Sequence, residues 1–336
     1  MQTFSFVVPI YNDGYLVQSF CEALGKEMEQ LLQLEDISER VELIFVNDGS
    51  SDESQRQLEV AAEAFSFVKV IQLSRNFGQH VAVSCGYRFA SGDYVAMMNV
   101  DMQDPPDQIP LLIQKLEEEG CDIVVGLRES RKDGLVDRMT SLAFNSMLNW
   151  LTGSRTPTNA ASLRIMTRRF VDAYNLLQEK TPYIPGLESW LGFQHAWVPI
   201  QHQQRKLGKS SYNFRKRLHM ALQSIVGFSD LPLRFAAALG SVVTLIGVLL
   251  MIGLVVRRLM LSDMLGGYTS TVALIVILGG TNILLIGLIG LYLGRVLQEV
   301  QGRPRFIIQS VRNFEMNALE KNTMGKKKPV VEAQRR

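Results

Sequence analysis

Short apolar runs alternate with amphipathic stretches along the first 130 residues of the chain. The runs are rich in Val, Ile and Phe, and the stretches between them have the composition of helices. Continuous apolar strands separated by helices are typical of a mostly parallel sheet that is covered on both faces, so the pattern predicts an α/β fold. The predicted strands are 4–10, 41–46, 68–73, 93–100 and 122–126, and the predicted helices include 15–34, 52–64 and 107–119.

Later in the chain the pattern changes to two long stretches without a charged side chain. The first, Phe235 to Val256, has 22 residues, and the second, Met264 to Gly294, has 31. About 20 apolar residues cross the hydrocarbon core of a bilayer as a helix, so the sequence predicts a two-helix transmembrane hairpin over 233–296. Basic residues flank this hairpin on both outer sides, and by the positive-inside rule they place both termini in the cytoplasm.

The hairpin divides the chain into four predicted regions. Residues 1–210 form a globular α/β domain, and 297–336 form a cytoplasmic tail with a disordered end. Between the domain and the hairpin, an apolar stripe follows a basic cluster, which indicates an amphipathic interfacial helix in 211–232; an ordinary helix packed on the domain is the alternative. Gly290 and Gly294 form a GxxxG pair, which fits close packing within the hairpin as well as a homo-oligomer.

Charge and cysteine content exclude several classes of protein. The formal net charge of +2 excludes a strongly basic nucleic-acid binder, so we expect no nucleic-acid partner. Cys21, Cys85 and Cys121 lack the density of a disulfide scaffold and the spacing of a metal site, and we expect buried, reduced thiols. The chain runs directly into the strand 4–10 without the features of a signal peptide, so we expect the α/β domain to stay in the cytoplasm.

Polar residues follow three of the predicted strands, and those after the first strand are Tyr11, Asn12 and Asp13. In parallel α/β sheets ligands bind beyond the carboxyl ends of the strands. Asp48 follows the second strand and can accept hydrogen bonds from a ribose or a base edge. Asn99, Asp101 and Gln103 alternate along an extended segment after the fourth strand, so they present three oxygens to one side. Such oxygen ligands suit Mg²⁺ or Mn²⁺ held against a diphosphate, although each motif alone is also ordinary turn chemistry.

Taken together and in this order, the motifs resemble those of family 2 glycosyltransferases with the GT-A fold. The resemblance is strongest to the enzymes that use a polyprenyl phosphate as acceptor. It covers about residues 3–310, including the hairpin. The matching motifs are VVPIYN, FVNDGSSDES, LSRNFGQH, NVDMQDPP, Gly126-Leu127-Arg128, RKLGKSSY and GRPRFII.

The resemblance assigns roles to individual positions. It implies that a divalent cation, Mg²⁺ or Mn²⁺, is the cofactor, and that arginines meet the phosphate groups. The implied metal ligands are Asn99, Asp101 and Gln103; the implied nucleotide-binding residues are Pro9, Tyr11, Asn12, Asp13, Asp48 and Asp101; and the implied catalytic residues are Asp101, Arg128, Arg138, Arg205 and Ser210.

The resemblance also implies an activity and a location. We expect a catalytic domain that transfers one sugar from a nucleotide sugar to undecaprenyl or another polyprenyl phosphate, with inversion of configuration. By analogy with the family, the expected donor is a UDP-sugar. The expected partners are the nucleotide sugar, the lipid and a membrane. The expected location is the bacterial inner membrane, as a multi-pass protein with its catalytic domain and both termini cytoplasmic.

Three departures from the family pattern leave alternatives open. Asn99 replaces the first acidic residue of the usual D-x-D, Ser162 stands where many relatives have an acidic residue, and Ser211 stands where lysine is expected. These departures motivate the alternative of a non-catalytic membrane binding protein on a decayed transferase fold. A processive polysaccharide synthase is a second alternative, but the chain has no Q-x-x-R-W stretch.

Overall fold

The computed structural model describes residues 2–128, 157, 159–180, 182–201, single positions between 233 and 256, and 267–314. Within them the chain forms an eight-stranded sheet with helices around it. The strands are β1 (Phe4–Ile10), β2 (Val41–Asn47), β3 (Val68–Leu73), β4 (Tyr94–Met97), β5 (Ile123–Arg128), β6 (Ala160–Thr167), β7 (His195–Ile200) and β8 (Ile308–Arg312). The helices are α1 (Val17–Leu32), α2 (Ser54–Ala64), α3 (Gln79–Phe89), α4 (Ile109–Glu119), α5 (Arg168–Leu176), α6 (Ile184–Trp190) and α7 (Tyr268–Val300), with short 3-10 helices at Gly14–Leu16 and Pro106–Gln108.

The sheet is mixed and mostly parallel, with the strand order β7-β5-β6-β4-β1-β2-β3-β8. The four strands β4, β1, β2 and β3 are mutually parallel, as are β5 and β7. Strand β6 runs antiparallel to both of its neighbours, and β8 runs antiparallel to β3 at the edge. The predicted α/β fold of the GT-A type is therefore confirmed.

The core forms where helices cover the parallel strands. All seven residues of β2 are buried, because this strand lies inside the sheet with helices packed against it. Helix α3 packs closely on β1, and a Cβ atom added at Gly86 would lie 2.2 Å from Cγ1 of Val7. The close packing of α3 on β1 therefore requires glycine at position 86. The three cysteines are buried and free, as predicted, and burial raises the pKa of each thiol.

The chain divides into two compact units. The first contains the whole sheet, including β8, and the second contains α7. Strand β8 lies in the segment that the sequence analysis assigned to a tail, and Ser310 Oγ donates to Gln72 Oε1 at 2.9 Å. In the second unit, α7 exposes large apolar side chains such as Ile275 and Ile283. The predicted domain boundaries at 210, 232 and 296 stay predictions.

The membrane prediction requires a correction. A membrane span needs about 20 consecutive apolar residues in one helix. Across the described residues, no helix combines the length and the hydropathy that a membrane span requires. The first predicted span is described only at scattered positions between 233 and 256. The predicted localisation, a multi-pass protein of the bacterial inner membrane with its catalytic domain and both termini cytoplasmic, is therefore wrong. The predicted interfacial helix in 211–232 lies outside the described residues.

Candidate active site at the carboxyl edge of the sheet

The carboxyl ends of β1, β2, β3 and β4 share one edge of the sheet, because these strands are parallel. The loops that follow them therefore meet there. They are 11–13, 48–53, 74–78 and 98–105, and together they form what we call the rim. Every predicted nucleotide-binding residue lies in the rim or, like Pro9, at the end of the preceding strand. The structure thus brings together residues that are far apart in the sequence.

Asn12 joins the first two loops of the rim. Its backbone N–H donates to Ser50 Oγ at 3.1 Å, and its Oδ1 accepts from the backbone N–H of Ser51 at 2.9 Å. Its φ of 58° lies in the left-handed region, which asparagine tolerates better than most residues. Beside it the Tyr11 side chain is 48% exposed, and Asp13 is half-buried. An exposed ring next to fixed polar groups suits stacking of a base.

Asp48 joins the second and third loops. It is 2% exposed, and its two oxygens accept from the backbone N–H groups of Phe77 at 2.7 Å and Gly78 at 2.9 Å. Burial raises the pKa of this carboxyl and outweighs those two hydrogen bonds and the Arg75 charge. Each carboxylate oxygen can accept a second hydrogen bond, so a role towards a ribose or base is compatible with these contacts and stays a prediction.

Gly49 allows the same two loops to approach each other. Its φ is 65°, and an added Cβ would lie 2.3 Å from the backbone carbonyl carbon of Arg75. Both the conformation and the contact therefore require glycine.

The fourth loop carries the predicted metal ligands. Asn99 Nδ2 donates to Ser162 Oγ at 2.9 Å, and Asn99 Oδ1 accepts from Gln79 Nε2 at 3.2 Å. Asp101 Oδ1 accepts from the backbone N–H of Gln103 at 3.3 Å. Two of the three departures from the family pattern that the sequence analysis noted, Asn99 and Ser162, are thus direct partners. Gln79 was missed by the sequence analysis, although it lies in the motif LSRNFGQH.

The donor set of this loop fits a hard cation only in part. Amide and carboxylate oxygens suit Mg²⁺ or Mn²⁺. Within the described ranges, however, no three His, Cys, Asp or Glu side chains are grouped to hold a metal ion. The loop offers Asp101 with the neutral oxygens of Asn99 and Gln103. These residues fit a cation that takes its remaining ligands from water and from a bound diphosphate.

Arg128, at the end of β5, forms a two-point ion pair with Asp104 of the rim. Its Nε donates to Oδ1 at 3.1 Å and its Nη2 donates to Oδ2 at 3.0 Å. Asp104 Oδ2 also accepts from the backbone N–H of Ser162 at 3.2 Å. The arginine predicted to meet phosphate therefore reaches the rim. The other predicted catalytic residues, Arg138, Arg205 and Ser210, lie outside the described residues, as does Ser211.

A buried ion pair lies behind the rim. Arg164 Nη1 donates to Glu188 Oε2 at 2.6 Å, and the two residues are 6% and 3% exposed. Nearby, the rings of His80 and Tyr183 lie 5.6 Å apart, edge to face. Burial and then the charge of Arg164 lower the pKa of His80 to about 4, so this imidazole is neutral at pH 7. The pairing of Arg164 with Glu188 was not predicted from the sequence.

A protein-family model matches the part of the chain that carries the rim. This model, described as "Glycosyl transferase family 2", matches residues 5–175, which include β2, β3, β4 and the whole rim. The chain belongs to glycosyltransferase family 2. The predicted resemblance is therefore confirmed, and the protein is a glycosyltransferase.

Two relatives of this family 2 glycosyltransferase have specific names. The chain is 33% identical to undecaprenyl-phosphate 4-deoxy-4-formamido-L-arabinose transferase of Proteus mirabilis, over 91% of this chain and 93% of that protein. It is also 33% identical to the SfII prophage-derived bactoprenol glucosyl transferase of Shigella flexneri, over 91% of this chain and 97% of that protein.

One solved structure matches this chain at low sequence identity. It is glucosyl-3-phosphoglycerate synthase from Mycobacterium tuberculosis in complex with Mn²⁺, UDP and glucosyl-3-phosphoglycerate. It is 17% identical, has a TM-score of 0.46, and the match covers 67% of this chain and 78% of that chain.

Proposed function

We propose that this glycosyltransferase moves a single sugar from a nucleotide sugar, with UDP as the carrier, to the phosphate of a polyprenyl lipid such as undecaprenyl phosphate, with inversion of configuration. The observation that carries the proposal is the pair of named relatives, both of which match over 91% of this chain. Their matches therefore extend beyond residues 5–175 and cover more than the donor-binding part of the fold. One name specifies undecaprenyl phosphate and the other bactoprenol.

The chemistry of the acceptor agrees with the uncharged pair formed by Asn99 of the rim and Ser162 of β6. The second pKa of a phosphate monoester lies near 6, so a lipid monophosphate is mostly a dianion at neutral pH. Such a nucleophile carries no proton that a general base must remove before it attacks the anomeric carbon. The neutral pair of Asn99 and Ser162 is therefore compatible with turnover.

The donor would bind along the rim. We assign the nucleoside to Tyr11, Asn12 and Asp48, and the diphosphate to the segment 99–103. Mg²⁺ or Mn²⁺, held by Asp101 with the oxygens of Asn99 and Gln103, would neutralise charge on the departing diphosphate. Pro9 and Asp13, which flank the nucleoside residues, would shape this part of the site.

Arginines would stabilise the two phosphate groups as they approach each other. The ion pair with Asp104 uses two N–H groups of Arg128, and a guanidinium has five. Arg128 can therefore remain paired with Asp104 and still donate to a phosphate. We assign Arg138, Arg205 and Ser210 to the same task from the resemblance alone, with the last two near the acceptor phosphate.

The test is a transfer reaction with defined components. Purified protein is incubated with undecaprenyl phosphate, Mn²⁺ or Mg²⁺ and a panel of nucleotide sugars, and the lipid products are analysed by mass spectrometry. A lipid that carries one sugar, with the anomeric configuration opposite to that of the donor, supports the proposal. A growing polymer would instead indicate a processive synthase, and nucleotide binding without turnover on any donor would indicate a binding protein.

A further inference from the structure

The backbone ladder between β4 and β6 ends just before the rim. The last paired residues are Met97 and Arg164. Beyond this point β4 continues into the segment 98–104, which we call the donor loop, and β6 contacts it through Ser162. Ser162 Oγ accepts from Asn99 Nδ2, and the Ser162 N–H donates to Asp104 Oδ2. One residue of β6 therefore bonds to two side chains of the donor loop.

The position of Ser162 is set by the side chain of Arg164. Arg164 Nε donates to the carbonyl oxygen of Ser162 at 3.1 Å, and its Nη2 donates to that of Ala161 at 3.1 Å. On the other side of β6, the register with β5 shifts between Val125 and Leu127. The backbone ladder of β6 is thus interrupted on both sides at this point, and the guanidinium supplies hydrogen bonds to the strand there.

Glu188 fixes the guanidinium in turn. Its carboxylate lies on α6 and accepts from Arg164 Nη1 at 2.6 Å. The planar guanidinium therefore contacts helix α6 through Nη1 and two carbonyl oxygens of β6 through Nε and Nη2. A buried ion pair is weak evidence for stability, because apolar residues of similar volume often stabilise a fold as well or better. The pair is therefore better explained by the contacts that it orients.

We propose that Arg164, oriented by Glu188, is a positioning residue for the donor site. Its guanidinium holds Ala161 and Ser162, Ser162 holds Asn99 and Asp104, and Asp104 holds Arg128. The inference rests on the proposed function only in assigning the donor loop to the nucleotide sugar. The chain of contacts itself stands on the geometry.

The first test replaces the pair by apolar residues of similar size, in the double variant Arg164→Met with Glu188→Leu. The melting temperature, the hydrogen exchange of the amides in 98–104, and the kinetics of transfer are measured on the full chain. We expect an unchanged or higher melting temperature. The hydrogen-exchange rate of the donor-loop amides should rise about tenfold or more, and kcat should fall about tenfold or more, since small displacements of reacting groups are costly. KM for the lipid acceptor should change less than about twofold, because the pair contacts the donor side of the rim.

The matched control is the partly buried ion pair of Glu42 and Lys69, at the opposite edge of the same sheet. The double variant Glu42→Gln with Lys69→Met should lower the melting temperature and leave kcat and the donor-loop exchange unchanged. If the Arg164 and Glu188 variant behaves in the same way, the pair is merely structural and the proposal fails.

A second variant covers the case in which the apolar pair does not fold. Arg164→Lys keeps the charge opposite Glu188 but lacks the planar guanidinium that also reaches the two carbonyl oxygens. It should fold, exchange faster in 98–104, and lose about tenfold in kcat. A wild-type kcat and wild-type exchange in Arg164→Lys would overturn the proposal. If the wild-type protein transfers no sugar to a polyprenyl phosphate, the proposed function fails, whereas the exchange measurement still decides whether Arg164 positions the loop.

Discussion

A buried carboxylate lies at each end of strand β2, and the protein shifts the pKa values of the two in opposite directions. Glu42, at the amino edge, accepts from Ser5 Oγ, Lys69 Nζ and both the backbone N–H and the hydroxyl of Ser91. Asp48, just beyond the carboxyl end of β2, accepts from two backbone N–H groups. Burial raises the pKa of both, but at Glu42 the charge of Lys69 and the hydrogen bonds outweigh burial, so its net pKa lies below the usual 4.5. At Asp48 burial prevails, and the pKa lies above 3.8.

The difference separates an edge that stabilises the fold from the edge to which we assign donor binding. Because the folded-state pKa of Glu42 is lowered, its stabilisation is present above pH 4.5 and is lost as the pH falls through that lowered pKa. For Asp48 the folded-state pKa is raised, so its contribution is present below pH 3.8 and is lost as the pH rises through the raised pKa. At neutral pH the amino edge therefore contributes stability, whereas the rim holds a carboxylate whose ionised form is disfavoured by burial. Perturbed carboxylates of this kind cluster at functional sites.

The sharpest test of this contrast is Asp101→Ala, which changes the rim without removing a core contact. We expect transfer to fall by about a hundredfold or more, because the variant loses the carboxylate among the proposed cation ligands. The melting temperature should stay within about 2 °C, since Asp101 is only half-buried. A transfer assay and a thermal melt on the same preparation check both expectations. Transfer at the wild-type rate would refute the proposed donor site.

Gly49→Ala should cause the largest loss of stability at the rim. The new methyl group would meet the backbone of Arg75 at 2.3 Å in a conformation with a φ of 65°, so we expect about 3 kcal/mol of destabilisation. Gly120→Ala is the matched control, because Gly120 has a φ of 60° but no atom within 4 Å of an added Cβ. Denaturant unfolding should show about 1 kcal/mol for that control. Equal losses in the two variants would mean that the approach of the loops is not tight.

Glu42→Gln tests the stabilising edge. The amide removes the charge opposite Lys69 and turns one acceptor into a donor, so we expect about 2 kcal/mol of destabilisation at pH 7 with unchanged kcat. The loss should shrink as the pH falls below 4.5, because the wild-type protein also loses its Glu42 contribution there. Urea unfolding at several pH values measures this. A loss that is independent of pH would contradict the lowered pKa.

The sequence predicted the five strands of the first 130 residues closely and missed β6, β7 and β8. The bounds of β1 and β3 are as predicted, since long apolar runs identify buried parallel strands. Strand β4 ends at Met97 rather than 100, because the chain leaves the sheet there to form the donor loop. Strand β6 was missed because its sequence includes the buried Arg164, whose partner Glu188 is recognisable only once α6 has packed against it. Strand β8 was missed because it pairs with β3, far back along the chain.

The rim was predicted from motifs, but its contacts were not. Position after a strand end was sufficient to group Asn12, Asp48 and Asp101, because parallel strands share one edge. The partners of these residues depend on side-chain reach across loops. Neither the bond between Asn99 and Ser162 nor the ion pair of Arg128 and Asp104 has a spacing that a single sequence reveals.

Asp48→Asn should destabilise the protein less than Glu42→Gln at pH 7, and it tests the other half of the comparison. The amide can accept from one of the two N–H groups and places its own N–H₂ opposite the other, which costs about 1–2 kcal/mol. At neutral pH the variant also escapes the unfavourable burial of a charge, so the net loss should be about 1 kcal/mol or less. Because wild-type stability from this group falls as the pH rises through the raised pKa, the variant should be most destabilised near pH 4 and least so at pH 7, the opposite of Glu42→Gln. Urea unfolding of both variants across this pH range measures the loss of stability relative to wild type. If that loss changed with pH in the same direction in both variants, the contrast between the two edges would be refuted.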